Sequence, residues 1–348
     1  MSSTFARRAA LAALATAGAL VGGLFATAAS AQEITIKYAN VMAPAHDTSK
    51  GVDKFAELVA KKSNGRIKVQ HFPGGQLGSD KETYEAAQQG LLQIAGGSYA
   101  NLVTITRAFE VLHLPYIFDS RTEAHRALDS AKVREAINKE LDQVGLRWLM
   151  TFEFGFRDIN TTSKKVLEPG DLGGLKIRVS RSPTEVGGVK AFGGTPVTVD
   201  WPEVYNALRF KVVDGEAQPF GTMVSAKHHE IIKEHLELDW QYYGFVGMIS
   251  TKQWNAYPQW ARKVIEEAAT EAEQYHRRIW AEEDEKAKAA YLKAGGQITV
   301  PTPAQRALWV KAGQGMWGSS GIDKALIDLV RAEAAATAPA ASAASAAK

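Results

Sequence analysis

Apolar and polar residues alternate with period two in Ile34-Thr35-Ile36-Lys37-Tyr38 and again in Ile67-Lys68-Val69-Gln70-His71-Phe72, predicting two short strands. Between them Val52, Phe55, Ala56 and Val59 share one face of a helix over about 49–62, which Asn64-Gly65 stops. A helix over about 80–89 and a strand over 91–95 complete a βαβαβ order. That order predicts a mainly parallel sheet with helices on both faces. It then recurs as a strand over 175–179, a helix over 184–192, a strand over 195–199, a helix over 201–209 and a strand at Val212-Val213. Two α/β units of similar size therefore follow one another, changing over near 152–162, with no sequence repeat between them.

One further helix has an architectural meaning. From Pro258 to Ala294 no other proline and no glycine occurs, and Val264, Ala268, Ala272, Tyr275 and Ile279 form a stripe at helical spacing. Gly295-Gly296 ends the run. At 1.5 Å per residue it reaches ~55 Å, longer than one small domain is wide. The acidic patch Glu282-Glu283-Asp284-Glu285 interrupts the stripe. A helix that packs on one unit, crosses a gap and packs on the other fits both facts; two helices broken at the acidic patch are the alternative.

The chain ends read differently from the middle. Arg7 and Arg8 precede an uncharged Ala/Leu/Gly/Val run that closes on Ala29-Ser30-Ala31, the pattern of a cleaved secretory signal peptide over 1–31. The alternative is an uncleaved anchor, but the run is only weakly hydrophobic. Cleavage removes two arginines and no acid, lowering the net charge from +3 to +1 and leaving a chain expected outside the cytoplasm. From 332 to 348 the chain is almost wholly alanine with Pro339, and a disordered tail is expected there.

Composition then narrows the chemistry. Lys+Arg 41 against Asp+Glu 38 is too balanced for a nucleic-acid binder. With no cysteine, disulfides, thiolate metal sites and cysteine nucleophiles are all excluded. Neither dinucleotide nor triphosphate glycine loop occurs, and Gly96-Gly97-Ser98-Tyr99-Ala100 misses the hydrolase elbow at its last position. His228, His229, Glu230 and His235 lack the i, i+4 pairing that puts two imidazoles on one ion, and they read as a solvated helix face. No metal, cofactor or catalytic constellation is expected.

A binding group stands out instead. In Leu175-Lys176-Ile177-Arg178-Val179-Ser180 the apolar residues face one side and Arg178 the other, near the end of a strand. Ligands of open α/β sheets gather beyond the carboxyl ends of strands, and a held guanidinium meets a carboxylate with two parallel hydrogen bonds. On this strand alone, a surface salt bridge is the better explanation of Arg178. Downstream, Asp200-Trp201-Pro202-Glu203 reads as a helix start capped by Asp200, with Glu203 reaching back, and Val213-Asp214-Gly215-Glu216-Ala217-Gln218-Pro219 as a strand and polar turn.

These residues, in order, resemble the solute-binding proteins of tripartite ATP-independent periplasmic (TRAP) transporters, the DctP family. The resemblance rests on Gly174 to Val179, Gly193-Gly194-Thr195-Pro196, Trp201 to Leu208, and Val213-Asp214-Gly215 through Pro219, with Gln76-Leu77-Gly78, Leu114 to Phe118 and Gly155-Phe156-Arg157 upstream. It implies a periplasmic-binding-protein-like α/β fold, two lobes with a hinge and a long connecting helix. Lobe I is expected over 32–155 and about 244–281, lobe II over 156–243 and about 282–331. It further implies a monomer that captures an organic acid and hands it to TRAP membrane permease subunits. Arg178 is implied as the carboxylate clamp, Arg157 as a second cation, Trp201 as a pocket wall, and Glu216 and Gln218 as polar lining. Gln218 stands where the family usually has Asn, and Ala217 where it often has Glu, which implies a reshaped pocket. Asp80 and Ser98 fall where some members touch ligand from the first lobe. Phe154, Phe156, Trp240, Tyr242 and Tyr243 are candidates for stacking, each read singly as core. A secreted hydrolase, and a carboxylate-binding protein serving another transporter or a sensor, are the rival functions.

Overall fold

The computed structural model describes residues 34–336. The expected leader and the tail from 337 onward lie outside the described residues.

Nine strands form one sheet, in the order β2-β1-β3-β8-β4-β7-β5-β6, with β9 beside β8. They are β1 (Ile34–Ala39), β2 (Ile67–Phe72), β3 (Ile94–Ser98), β4 (Leu146–Thr161), β5 (Lys176–Val179), β6 (Thr195–Thr198), β7 (Gly215–Pro219), β8 (Glu234–Ser250) and β9 (Gln297–Thr299). The expected parallel pairs are present: β1 with β2 and β3, β5 with β6 and β7. The sheet is nevertheless mixed, because β4 and β8 run antiparallel to each other and to β7 and β3. These two strands, 16 and 17 residues long, were not foreseen from the pattern. At ~3.3 Å per residue each spans about 50 Å, enough to serve both ends of the molecule. One end of the ribbon joins β3, with Ser98 opposite Phe245, and the other joins β7, with Arg157 opposite Pro219. Two lobes thus share one pair of crossing strands.

The ribbon bends where its register shifts, between Trp148 and Met150, Glu153 and Gly155, and Arg157 and Ile159. At the last of these the Asp158 carboxylate accepts from the backbone N–H groups of Leu238 (2.7 Å) and Asp239 (2.9 Å). Burial and the neighbouring Asp239 push the Asp158 carboxyl well above its ordinary range.

Helices cover both faces of each lobe. Val52, Phe55 and Val59 pack with the first half of the long helix, Ala261 to Trp280, on one face of the β1–β3 region. On the other face Tyr84, Leu112, Leu128 and Ile137 pack with Ile327 and Val330. In the second lobe Ile177, Val189, Phe192, Trp240 and Trp309 form one cluster, and Val204, Leu208, Met223 and Tyr291 another.

The long helix, Gln259–Lys293, runs unbroken through the acidic patch, so the two-helix alternative fails. Its first half belongs to a first-lobe cluster and its Tyr291 to a second-lobe cluster. The buried face is turned about one position from the expected stripe: Ala261, Ile265, Ala268, Ala269, Ala272, Glu273, His276 and Trp280 point inward. The polar members have a reason. Before Arg157, β4 has β8 on one side and, among the described residues, no strand on the other. Its open N–H groups are capped by side chains: Trp148 donates to Asn138, Thr151 to Glu273 (2.6 Å) and Glu153 to His276 (3.2 Å).

Other boundaries moved. The third strand begins at Ile94, leaving Leu91 exposed, and the strand expected at Val212-Val213 is instead Gly215–Pro219, the stretch read as a turn. The last helix, Lys324–Ala335, extends into the alanine run and buries Ala334. It packs in the first-lobe cluster, so 324–331 sits with lobe I rather than with lobe II as expected.

Candidate functional site

Arg178 lies on β5, in register with Val197 of β6 and Glu216 of β7. Its neighbours Ile177 and Val179 enter a second-lobe core, but Arg178 on the opposite face is buried too, at 3% exposure. Two of its nitrogens, Nε and Nη2, donate to the backbone carbonyl of Val199 at 3.0 and 2.9 Å. That fork fixes the guanidinium plane, and Trp201 flanks it, its ring centroid 5.7 Å away. The third nitrogen, Nη1, has no hydrogen-bond partner among the described residues. Burial works against the Arg178 charge, and Glu185 and Glu216 work for it.

Arg157 lies on β4 where the ladder passes from β8 to β7, and it is fully buried. Its Nη1 donates to the carbonyl of Ala217 and to Gln218 Oε1 (3.1 Å), and lies 3.1 Å from Glu185 Oε1. The guanidinium stacks on Tyr243, 3.8 Å from the ring centroid. Its Nε and Nη2 have no partner among the described residues. Three guanidinium nitrogens of two buried arginines are thus open, and such groups are costly to leave unmatched.

The remaining expected residues divide. Gln218 is buried against Arg157. Glu216 is committed to His228, whose Nδ1 lies 2.9 Å from both its oxygens. Trp201 is half-buried and packs on His228 with ring centroids 5.2 Å apart. On the first lobe, Asp80 opens the helix Asp80–Gln88 and accepts from Asn101 Nδ2 (2.8 Å) with one oxygen, while the other has no partner among the described residues. Burial raises its pKa to about 6 against the pull of that hydrogen bond and one from the Ser98 backbone. Its close approach to β3 requires glycine at 97, where an added Cβ would come within 2.2 Å of the Tyr84 hydroxyl and 3.1 Å of the Asp80 carboxyl carbon. Ser98 caps the short helix Tyr99–Leu102. Of the aromatic candidates Tyr243 alone stacks on an arginine; Phe154, Phe156, Trp240 and Tyr242 are core.

Several readings need correction. His228 and His235 are buried rather than on a solvated helix face: His228 opens a 3-10 turn against Glu216, and His235 sits on β8 with Nδ1 2.6 Å from Asn160 Oδ1. Asp200 precedes the turn at Trp201 but makes no side-chain cap there; its carboxylate pairs with Arg181 at 2.9 Å.

The sequence reasoning also missed residues. Glu185, on the helix Pro183–Ala191, accepts from the Ser180 N–H (3.1 Å) and hydroxyl and stands beside Arg157. Its signal was three-residue spacing from Ser182, which passes for a helix cap. His113 is buried 5.5 Å from Tyr243, and burial, with Arg157 nearby, holds its pKa well below the ordinary value. Glu110 accepts from Ser182 Oγ (2.9 Å) and the Thr184 N–H (3.2 Å), tying the 3-10 turn Glu110–His113 to the helix that carries Glu185.

The chain is similar to known proteins along nearly its whole described length. It is 33% identical over 299 residues to the C4-dicarboxylate-binding periplasmic protein DctP of Rhodobacter capsulatus, covering 84% of this chain and 89% of that one. It is 27% identical to the 2,3-diketo-L-gulonate-binding periplasmic protein YiaO of Escherichia coli, covering 70% of this chain and 74% of that one. The crystal structure of a TRAP periplasmic solute-binding protein from Ochrobactrum anthropi, with its C-terminus bound in the ligand-binding pocket, superposes with a TM-score of 0.81 at 34% identity, covering 87% and 95% of the two chains. The model of the bacterial extracellular solute-binding proteins of family 7 matches residues 38–322. A two-lobed sheet with buried, half-satisfied arginines at the lobe junction is thus the form this family's fold takes here, and the chain belongs to it: a DctP-family TRAP solute-binding protein.

Proposed function

We propose that the protein captures an organic acid outside the cytoplasm by closing its lobes on the acid's carboxylate, and that it presents the closed complex to TRAP membrane permease subunits. The observation that carries this reading is the open nitrogen set, Arg178 Nη1 with Arg157 Nε and Nη2, in a place where solvent does not reach. A carboxylate supplies the acceptors that those donors lack, and the low dielectric of the shut cleft strengthens the charged hydrogen bonds. Gln218 orients Arg157, Trp201 walls the pocket, and Asp80 and Glu216 set its charge. The relatives named above take acids, a C4-dicarboxylate and a diketogulonate.

No helix among the described residues is long and apolar enough to cross a membrane. On the same reading, a leader is cleaved from 1–31 and a monomer is released into the periplasm. The near-neutral charge supplies no nucleic-acid footprint. The family and its fold are those of substrate-binding proteins, which argues for binding without turnover.

A thermal-melt screen against organic acids tests the assignment. Ligand at about 100 times its dissociation constant is expected to add ~2.7 kcal/mol of stability. Arg178→Ala is expected to fold and to lose the response; an Arg178→Ala protein that responds like wild type places the carboxylate elsewhere.

A further inference from the structure

The charges around the two arginines limit what kind of acid fits. Arg157 already has a buried carboxylate at contact distance, whereas the carboxylate in register with Arg178, that of Glu216, is committed to His228. Glu185 Oε1 stands 3.1 Å from Arg157 Nη1, and Glu216 is in register with Arg178 on the adjacent strand. Both glutamates are fully buried, and both act on the Arg178 charge. Asp80 adds a third buried carboxyl, held by Asn101 of the short helix that Ser98 caps. Glu110 adds a fourth, accepting from Ser182 and Thr184 where the lobes meet. Two further arginines on bordering elements are taken: Arg181 by Asp200, and Arg121 by Glu153 and Asp284.

What remains open is therefore three donors and one cation, Arg178, which has no carboxylate at contact distance among the described residues. The three free guanidinium nitrogens suit the two oxygens of one carboxylate. A second carboxylate on the same ligand finds no further unpaired cation among these groups. Burying an unmatched charge in a shut cleft costs far more than burying a neutral polar group of the same shape. His113 does not relieve this, because burial disfavours its charged form and the nearest carboxylate to its Nδ1 is that of Glu110, 4.0 Å away.

We infer that the cleft is charge-matched to a monoanion, so that the acid carried is a monocarboxylate and Glu185 is the residue that excludes dicarboxylates by neutralising Arg157. This rests on the carboxylate reading of the site given above and narrows it. Glu185 acts here as a specificity-determining residue: it takes up the charge that a second carboxylate needs. The two curated relatives fall on opposite sides of this division, one named for a C4-dicarboxylate and one for a sugar-derived monoacid.

Isosteric pairs that differ in charge and little in shape test it by calorimetry on the full mature protein: succinamate against succinate, and glutaramate against glutarate. The expected result is that in each pair that binds, the monoanion binds at least about tenfold more tightly. In Glu185→Gln, which keeps size and hydrogen bonding, that preference is expected to shrink by about tenfold or reverse. If the dianion of a responding pair binds as tightly as its monoanion or better, the inference is overturned while the carboxylate site stands. If Glu185→Gln folds and keeps the wild-type preference, Glu185 is not the excluding group. If no member of either pair binds to folded protein, the carboxylate reading itself falls, and the monoanion inference with it. Should Glu185→Gln fail to fold, the wild-type pairs alone still decide the matter of charge.

Discussion

At Asp80, burial and hydrogen bonding pull in opposite directions, and burial wins, raising the carboxyl from 3.8 to about 6. The folded protein then holds this proton more tightly than the unfolded chain does. The group's contribution to stability is full below about pH 4 and is lost as the pH rises through about 6. Asp80→Asn keeps a partner for Asn101 and removes the titration. It is therefore expected to be more stable than wild type at about pH 8, by on the order of 2–3 kcal/mol, and no more stable at about pH 4. Urea unfolding at both pH values measures this, and equal gains at the two would show that the Asp80 carboxyl is not strained by burial. Residues of this kind are hard to read in a sequence. Arg178 could be singled out because it stands on the polar face of a clean alternation, near the end of a strand. Glu185 was not, because Ser182 and the glutamate three residues later look like a cap, whereas the folded chain uses its carboxylate on Ser180 and beside Arg157. His228 and His235 were misread because their partners, Glu216 and Asn160, lie on strands that meet them only through the fold.

Among elements, the helices and short parallel strands were visible because one face of each is apolar and the other polar. The two longest strands were not. Every residue of β4 except Arg147 is buried, including Glu153, Arg157 and Asp158, so neither alternation nor a purely apolar run marks it as a strand. The long helix was legible in extent but not in rotation, since its inward face includes Glu273 and His276, whose task is to cap an open strand edge. That task makes a prediction. Glu273 Oε1 accepts from the Thr151 N–H and, at 2.8 Å, from Arg134. Glu273→Ala leaves a buried N–H unmatched and is expected to cost about 2–4 kcal/mol, while Glu273→Gln recovers most of it. Chemical denaturation of the three proteins checks the order. Ligand affinity is expected to change little, because the residue is remote from both arginines; equal stability of Ala and Gln variants would remove the capping account.

For the whole molecule the central quantity is the balance between open and closed lobes. The ribbon of β4 and β8 and the long helix tie the lobes together whether or not the cleft is shut, so they set the hinge without favouring either state. We propose that contacts across the lobe junction are lost on opening and so tip the balance. Glu110 makes two: its carboxylate accepts from Ser182 Oγ and from the Thr184 N–H at the start of the helix that carries Glu185. These bonds touch no ligand, yet a ligand that binds the closed form benefits from whatever holds that form together. Removing them lowers the closed fraction, and the apparent dissociation constant rises in proportion to that fall. Glu110→Ala is therefore expected to weaken binding of any recognised acid by about tenfold, equivalent to ~1.4 kcal/mol, chiefly through faster release. Small-angle scattering of the unliganded variant is expected to show a larger radius of gyration than wild type, with saturating ligand bringing the two together. An unchanged release rate with an unchanged scattering profile would mean that Glu110 stabilises the first lobe alone and takes no part in closure.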